Sequence, residues 1–330
     1  MVVASTGFFD GVHSGHQAVI RTLLERASEC GGQSLVISFW PHPRVILQNG
    51  AKDLRLLTSI DEKKELLYGM GVDRVEVLPF TREFASLDAE DYLKMLREKF
   101  GVTSIVLGYD NRFGSGSLTT SQIQDIASRL GIESVVVPPL VVDSLTVSST
   151  QIRRLLGEGN VKLASEMLGR DYSVQGVVVS GKQLGRTIGF PTANLALREP
   201  LKCVPAVGVY LSRVRLGEES FWGMSNVDRS GLIETHIFDF DADIYGHDLE
   251  VSFVSKIRDE VLFSSFEELK KQLKRTKCQR KVLSSHNMTT KKDKPKESDK
   301  KITASEIKKE KKKLILYSEI MRPKFKDGLE

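Results

Sequence analysis

Over roughly the first 140 residues, apolar runs of strand length alternate with stretches whose apolar positions recur at helical spacing. Val2-Val3, Leu35-Val36-Ile37, Val75-Glu76-Val77-Leu78, Ser104-Ile105-Val106-Leu107 and Val135-Val136-Val137 read as strands. Between them the pattern predicts helices: one carrying Val19, Leu23, Leu24 and Ala27 on one face, and one opening at Ser59-Ile60-Asp61-Glu62 and ending near Gly69 and Gly71. Two more are predicted from Asp88 to Phe100, closed by Gly101, and from Ser121 to Leu130. Such alternation predicts a parallel sheet covered by helices, a Rossmann-like α/β domain. A helix-like segment from Ser149 to Leu168 follows.

From Tyr172 the texture changes. Val174 to Val179, Gly208 to Val214, Phe221 to Met224, Thr235 to Phe240 and Leu249 to Val254 are short β-rich runs, several separated by glycine turns. They predict a small closed β-barrel, finished by one helix near Phe266 to Leu273. The expected organisation is therefore residues 1–170, residues 171–274 and a tail, residues 275–330.

Charge sharpens this division. The net charge is +5, yet the tail alone carries 18 Lys and Arg against 8 Asp and Glu, so the rest of the chain is net acidic. A lysine-rich tail without aromatic platforms reads as a solvated segment; contact with nucleic acid through counterion exchange is the secondary reading. No apolar run approaches the roughly 18–20 residues a membrane helix needs. Met1 to Ser5 has neither a basic leader nor an extended apolar core, which argues against a secretory signal. Cys30, Cys203 and Cys278 are scattered, which suggests neither a disulfide framework nor a zinc site. A cytoplasmic enzyme fits this profile.

Candidate chemistry concentrates in Ser5-Thr6-Gly7-Phe8-Phe9-Asp10-Gly11-Val12-His13-Ser14-Gly15-His16. The stretch joins a predicted strand to a helix start, where backbone N–H groups and the helix dipole favour an anion. Gly7, Gly11 and Gly15 allow close backbone approach to a phosphate, and His13 and His16 add imidazole donors. Trp40-Pro41-His42-Pro43 and Gly108-Tyr109-Asp110 also follow strands, so the three segments are expected to share the crevice beyond the strands' carboxyl ends.

These motifs resemble the bacterial bifunctional riboflavin kinase/FMN adenylyltransferase family, over roughly residues 1–273. The resemblance rests on residues 7–16 and on Phe39-Trp40-Pro41-His42-Pro43, then on Gly108-Tyr109-Asp110-Asn111-Arg112-Phe113-Gly114 and Val147-Ser148-Ser149-Thr150-Gln151-Ile152-Arg153. Gly189-Phe190-Pro191-Thr192-Ala193-Asn194 and Glu234-Thr235-His236 complete it.

The resemblance implies that the first domain transfers AMP from ATP to FMN, giving FAD and pyrophosphate. Gly7, Phe8, Gly11, His13, His16, Ser149, Thr150 and Arg153 would then hold ATP, with Arg153 on the β- and γ-phosphates. Asp110 and Phe113 match the flavin-side loop, and His42 receives no chemical role. The second domain resembles the riboflavin kinase barrel, with Glu234 as catalytic base and Thr192 and Asn194 as the pair that binds Mg²⁺ and phosphate. Gly181, Gly185 and Gly189 punctuate a loop able to close over the nucleotide. No Walker A sequence is present, which excludes a P-loop kinase.

One departure from the family pattern concerns the kinase. The family carries Asn-Ile-Gly-x-x-Pro-Thr and a hairpin before the catalytic Glu; here Asn226-Val227 runs through Asp228-Arg229-Ser230-Gly231-Leu232 almost directly to Glu234. A one-residue slip would send Glu234 to the other face of its strand. The alternative function is accordingly an adenylyltransferase whose second domain is impaired as a kinase.

Overall fold

The structure, a computed structural model, describes residues 1–47, 53–109, 114, 118–181 and 191–259. The first half runs β1 (Val2–Thr6), α1 (Ser14–Glu29), β2 (Gln33–Trp40), α2 (Pro43–Leu47), α3 (Ile60–Gly69), β3 (Arg74–Pro79), α4 (Arg82–Ala85), α5 (Ala89–Phe100), β4 (Val102–Gly108), α6 (Thr120–Arg129) and β5 (Glu133–Val137). The five strands form a parallel sheet in the order β3-β2-β1-β4-β5.

Both faces of this sheet are covered, which is why its strands read as nearly continuous apolar runs. Val3, Val36 and Val106 turn toward the layer of α1 and α3. Their neighbours Ala4, Leu35, Ile37, Ile105 and Leu107 turn toward α5 and α6. The helix starts obey their local chemistry. Ser59 and Glu62 form a reciprocal capping box at α3, Asp88 caps α5, and Gly101 ends α5 in the left-handed region.

After β5 come a two-residue ladder, β6 (Val141–Val142) with β7 (Leu145–Thr146), then α7 (Ser149–Gly157) and α8 (Val161–Leu168). The segment expected as one helix is therefore two. Gly159 takes φ +77° and Asn160 starts α8 by capping it, so the helix cannot run through.

The second half comprises β8 (Tyr172–Val179), β9 (Ala193–Leu197), β10 (Gly208–Leu216), β11 (Glu219–Val227), β12 (Ile233–Ile237) and β13 (Asp248–Arg258). They close into a barrel in the order β10-β11-β12-β9-β8-β13. Strand β9 was not among the predicted runs, and β12 ends at Ile237 rather than at Phe240. The helix predicted near Phe266 and the lysine-rich tail lie outside the described residues.

The barrel core is continuous with α7 and α8: Ile152, Leu156, Met167 and Leu168 belong to one buried cluster with Val174, Tyr210, Ile233 and Phe253. The end of α8 also braces the turn after β1. Ser14 Oγ donates to the Met167 carbonyl at 2.7 Å, and the Arg170 guanidinium donates to the Gly11 carbonyl at 2.7 Å.

Candidate active site

The strand order places a topological switch point between β1 and β4, where successive connections leave in opposite directions, and ligands in open α/β sheets bind beyond the carboxyl ends at such points. A cleft of about 450 Å³ opens there. Its lining includes Gly7, Phe8, Asp10, His13, His16, His42, Arg44, Tyr109, Ser149, Thr150 and Arg153. The three strand-following segments do converge, and the N-termini of α1 and α7 meet them. Asp110 and Phe113, expected on the flavin side, lie outside the described residues.

The turn between β1 and α1 is tightly wound. Phe9 and Val12 take φ +47° and +39°, and Gly11 takes +84°, conformations that side chains with a Cβ resist. Gly11 lies behind the wall rather than on it: a Cβ there would stand 2.8 Å from Leu57 Cδ1. The amides of Gly7 and Gly11 are engaged by the Ile37 carbonyl and Thr58 Oγ1, each at 3.0 Å. The donors left for an anion come instead from the first turns of the two helices.

His13 both caps and lines. As N-cap of α1 its Nδ1 accepts from the His16 N–H at 3.2 Å, so in the neutral ring Nε2 carries the proton and is the donor. The two imidazoles stack at 3.5 Å between centroids, and Phe9 meets His16 edge-on at 5.2 Å. Burial brings the His13 pKa down to about 4, against the opposing charge of Asp10. Burial, then neighbouring His13 and Lys63, holds His16 well below the usual imidazole range. Both rings are neutral at pH 7. His16 Nδ1 is buried and has no hydrogen-bond partner among the described residues.

Asp10 is the anchor that motif reading missed. Its buried carboxylate accepts from the Leu57 and Thr58 amides, at 3.0 Å each, and pairs with Arg153 at 2.5 Å. Arg153 Nε also donates to the Arg55 carbonyl at 2.6 Å. The guanidinium is thus fixed at the edge of the cleft. Ser149 Oγ donates to the Asp10 carbonyl at 2.8 Å, which docks the start of α7 on the same turn.

Behind Phe8 stands a buried lysine that periodicity alone would not flag. Lys63 Nζ lies 4.3 Å from the Phe8 ring centroid and 3.1 Å from Ser38 Oγ, and burial lowers its pKa to about 8. His42 packs on Phe8 at 4.0 Å between centroids, and both line the cleft.

The second group of expected residues gathers on the outside of the barrel. Ile233, Thr235 and Ile237 of β12 are buried, and Glu234 alternates away from them. Glu234 pairs in register with Asn194 of β9 on one side and Asn226 of β11 on the other. The shortened connection does not displace it. Asp228 Oδ1 accepts from the amides of Ser230 and Leu232 at 2.8 and 2.9 Å, Gly231 takes φ +82°, and the hairpin closes in five residues, 228–232, without a slip. His236 Nδ1 lies 2.8 Å from the Pro191 carbonyl, which ties the chain just before Thr192 to β12. Gly181 meets the Asn194 amide so closely that a Cβ would stand 2.1 Å from its nitrogen. Gly185 lies outside the described residues.

Fold and candidate sites together are those of a two-domain transferase: a polar cleft at the carboxyl edge of an α/β sheet and a polar face on a closed barrel. The FAD synthetase family model matches residues 1–151, and the riboflavin kinase family model matches residues 168–283. A bifunctional riboflavin kinase/FMN adenylyltransferase of Listeria monocytogenes is 35% identical over 83% of this chain and 89% of its own length. The Pseudomonas fluorescens protein of the same description is 36% identical over 81% and 88%. The chain belongs to the bifunctional riboflavin kinase/FMN adenylyltransferase family. A crystal structure from Streptococcus pneumoniae, described as a macrolide-efflux protein, superposes with a TM-score of 0.78 at 33% identity, covering 84% of this chain and 92% of that one. That description is of the pneumococcal protein; among the described residues here, no helix is long and apolar enough to cross a membrane.

Proposed function

We infer that the two family activities, phosphorylation of riboflavin to FMN and adenylylation of FMN to FAD, are divided between the cleft and the barrel face. We place the boundary between the two domains near residue 170. The observation that carries this reading is the convergence of two helix N-termini, a neutral imidazole pair and a fixed guanidinium on one cleft, while Glu234 and Asn194 sit paired elsewhere.

In the cleft, a phosphate oxygen of FMN attacks the α-phosphorus of ATP, and the bond to the bridging oxygen of pyrophosphate breaks. The nucleophile is already anionic, so no general base is needed. Catalysis is alignment plus stabilisation of charge on the α-phosphate and the leaving pyrophosphate. His13 Nε2–H and the ring of His16 serve the phosphates as neutral donors. Arg153 serves the β- and γ-phosphates, for which its forked donors are suited. Gly7 and Phe8 line the nucleotide side, Ser149 and Thr150 present the start of α7, and Asp110 and Phe113 take the flavin side.

On the barrel, the ribityl 5′-hydroxyl attacks the γ-phosphorus of a second ATP, ADP leaves, and the hydroxyl proton passes to Glu234. The donor set fits Mg²⁺: Thr192 and Asn194 offer neutral oxygens, as that ion accepts when substrate phosphates and water complete its shell, and Asn194 is buried and held by Gly181 and β12. The ion, when bound, would neutralise phosphate charge. Gly181 and Gly185 flank the nucleotide.

The test is incubation of the purified chain with riboflavin, ATP and Mg²⁺, with flavins separated by chromatography. FMN should appear first, then FAD with stoichiometric pyrophosphate. Recovery of riboflavin alone would overturn the assignment.

A further inference from the structure

Between α2 and α3 the chain passes through a short strap, residues 54–58, in which Leu54, Leu56, Leu57 and Thr58 are buried. Three consecutive peptide groups of this strap each face two ways. In the Arg55–Leu56 peptide, the carbonyl accepts from Arg153 Nε at 2.6 Å, while the N–H donates to the Leu201 carbonyl at 2.7 Å. In the Leu56–Leu57 peptide, the carbonyl accepts from the Cys203 N–H at 2.7 Å, while the N–H donates to Asp10 at 3.0 Å. In the Leu57–Thr58 peptide, the carbonyl accepts from Lys202 Nζ at 2.8 Å, while the N–H donates to Asp10 at 3.0 Å.

A peptide group is planar and stiff, so its carbonyl and N–H cannot reorient independently. One edge of the strap therefore holds the pair that lines the cleft, Asp10 and Arg153. The other edge is held by residues 201–203, which follow β9 of the barrel. Lys202 is 4% exposed, and besides Leu57 it pairs with Glu62 at 2.5 Å. Glu62 is also the acceptor that closes the capping box of α3, taking the Ser59 N–H at 2.7 Å. A second tie runs parallel: the Ala206 N–H donates to the Leu156 carbonyl of α7, the helix that carries Arg153.

We propose that Lys202, a residue of the kinase half, is a positioning residue for adenylyl transfer: it fixes the strap that aims Arg153 and Asp10 into the nucleotide cleft. This rests on the reading of Arg153 as the triphosphate's cation. Removing the ammonium takes the buried donor from the Leu57 carbonyl and leaves Glu62 only the Ser59 N–H, so the peptide that feeds Asp10 loses the anchor on its far edge.

The test uses the full chain with Lys202→Met, Lys202→Arg, Arg153→Gln and the Lys202→Met/Arg153→Gln double variant. Riboflavin phosphorylation reports that the barrel is folded. Lys202→Met should lower kcat/KM for ATP in FMN adenylylation about tenfold, mostly through KM, while phosphorylation stays within about twofold. Lys202→Arg should recover most of the loss. In the Arg153→Gln background, Lys202→Met should add less than about twofold, because both act through one guanidinium. If Arg153→Gln impairs adenylylation but Lys202→Met does not, or if the two losses multiply, the positioning role is wrong and the Arg153 assignment survives. If Arg153→Gln itself is silent, the Arg153 assignment fails and takes the positioning role with it. Should Lys202→Met fail to fold, Glu62→Gln removes the same ion pair and is judged by the same outcomes.

Discussion

Asp10 shows how much of the cleft depends on one carboxylate. It is 3% exposed in its side chain, and it holds two amides and Arg153 together. Breaking a buried pair by removing one charge leaves the other uncompensated. Asp10→Asn should therefore destabilise the chain by about 2–4 kcal/mol in denaturant titration, and should weaken ATP use in adenylylation more than in phosphorylation. The histidines predict a pH dependence. Their folded pKa values are depressed, to about 4 for His13 and for His42, while an unfolded imidazole titrates near 6.5. Between those values the unfolded chain binds more protons than the folded one, so stability rises with pH. Above about pH 6.5 this contribution is complete; as pH falls toward 4 it is lost. The urea midpoint should drop across that window, and His42→Gln should flatten the slope. An unchanged slope would mean that His42 is not held neutral.

At the level of elements, the barrel face is built by register. Asn194, Glu234 and Asn226 are brought into line by β9, β12 and β11, and a hairpin closed by Asp228 keeps the line straight. Gly181 lies against Asn194, with no room for a methyl group. Gly181→Ala should lower riboflavin phosphorylation at least about tenfold by pushing the Asn194 amide aside, and should leave adenylylation of supplied FMN near wild type. Equal loss of both would place Gly181 in the common core instead. The caps at Ser59, Asp88 and Gly101 were legible because capping is local: the residue and its partner lie within one turn. The break at Gly159 was hidden because apolar spacing continues across it, through Leu155, Leu156, Val161 and Ala164, all facing one core. Strand β9 was hidden because Ala193 to Leu197 holds no β-branched or aromatic residue, and its pairing with β8 and β12 is long-range.

For the whole molecule, the sheet and the barrel were readable from the change in periodicity near residue 170, and the cleft from its histidines. The dependence of one half on the other was not. Lys202 and Glu62 are 140 residues apart in sequence; Glu62 is legible only as the far end of a local capping box, and Lys202 sits in no motif. A lysine and a glutamate on predicted surface positions look like solvated charges until the fold buries them together. The two proposed reacting faces lie on different elements, one at the carboxyl ends of a parallel sheet and one on the outside of a barrel strand, so on this proposal each chemistry should be removable alone.

The direct measurement is a crossed product assay on two folded variants. Each is given riboflavin or FMN with ATP and Mg²⁺, and the flavins are separated by chromatography. His16→Ala should convert riboflavin to FMN and stop there; Glu234→Gln should leave riboflavin untouched yet convert supplied FMN to FAD. Loss of both products in either variant, with its fold intact, would contradict two separate sites.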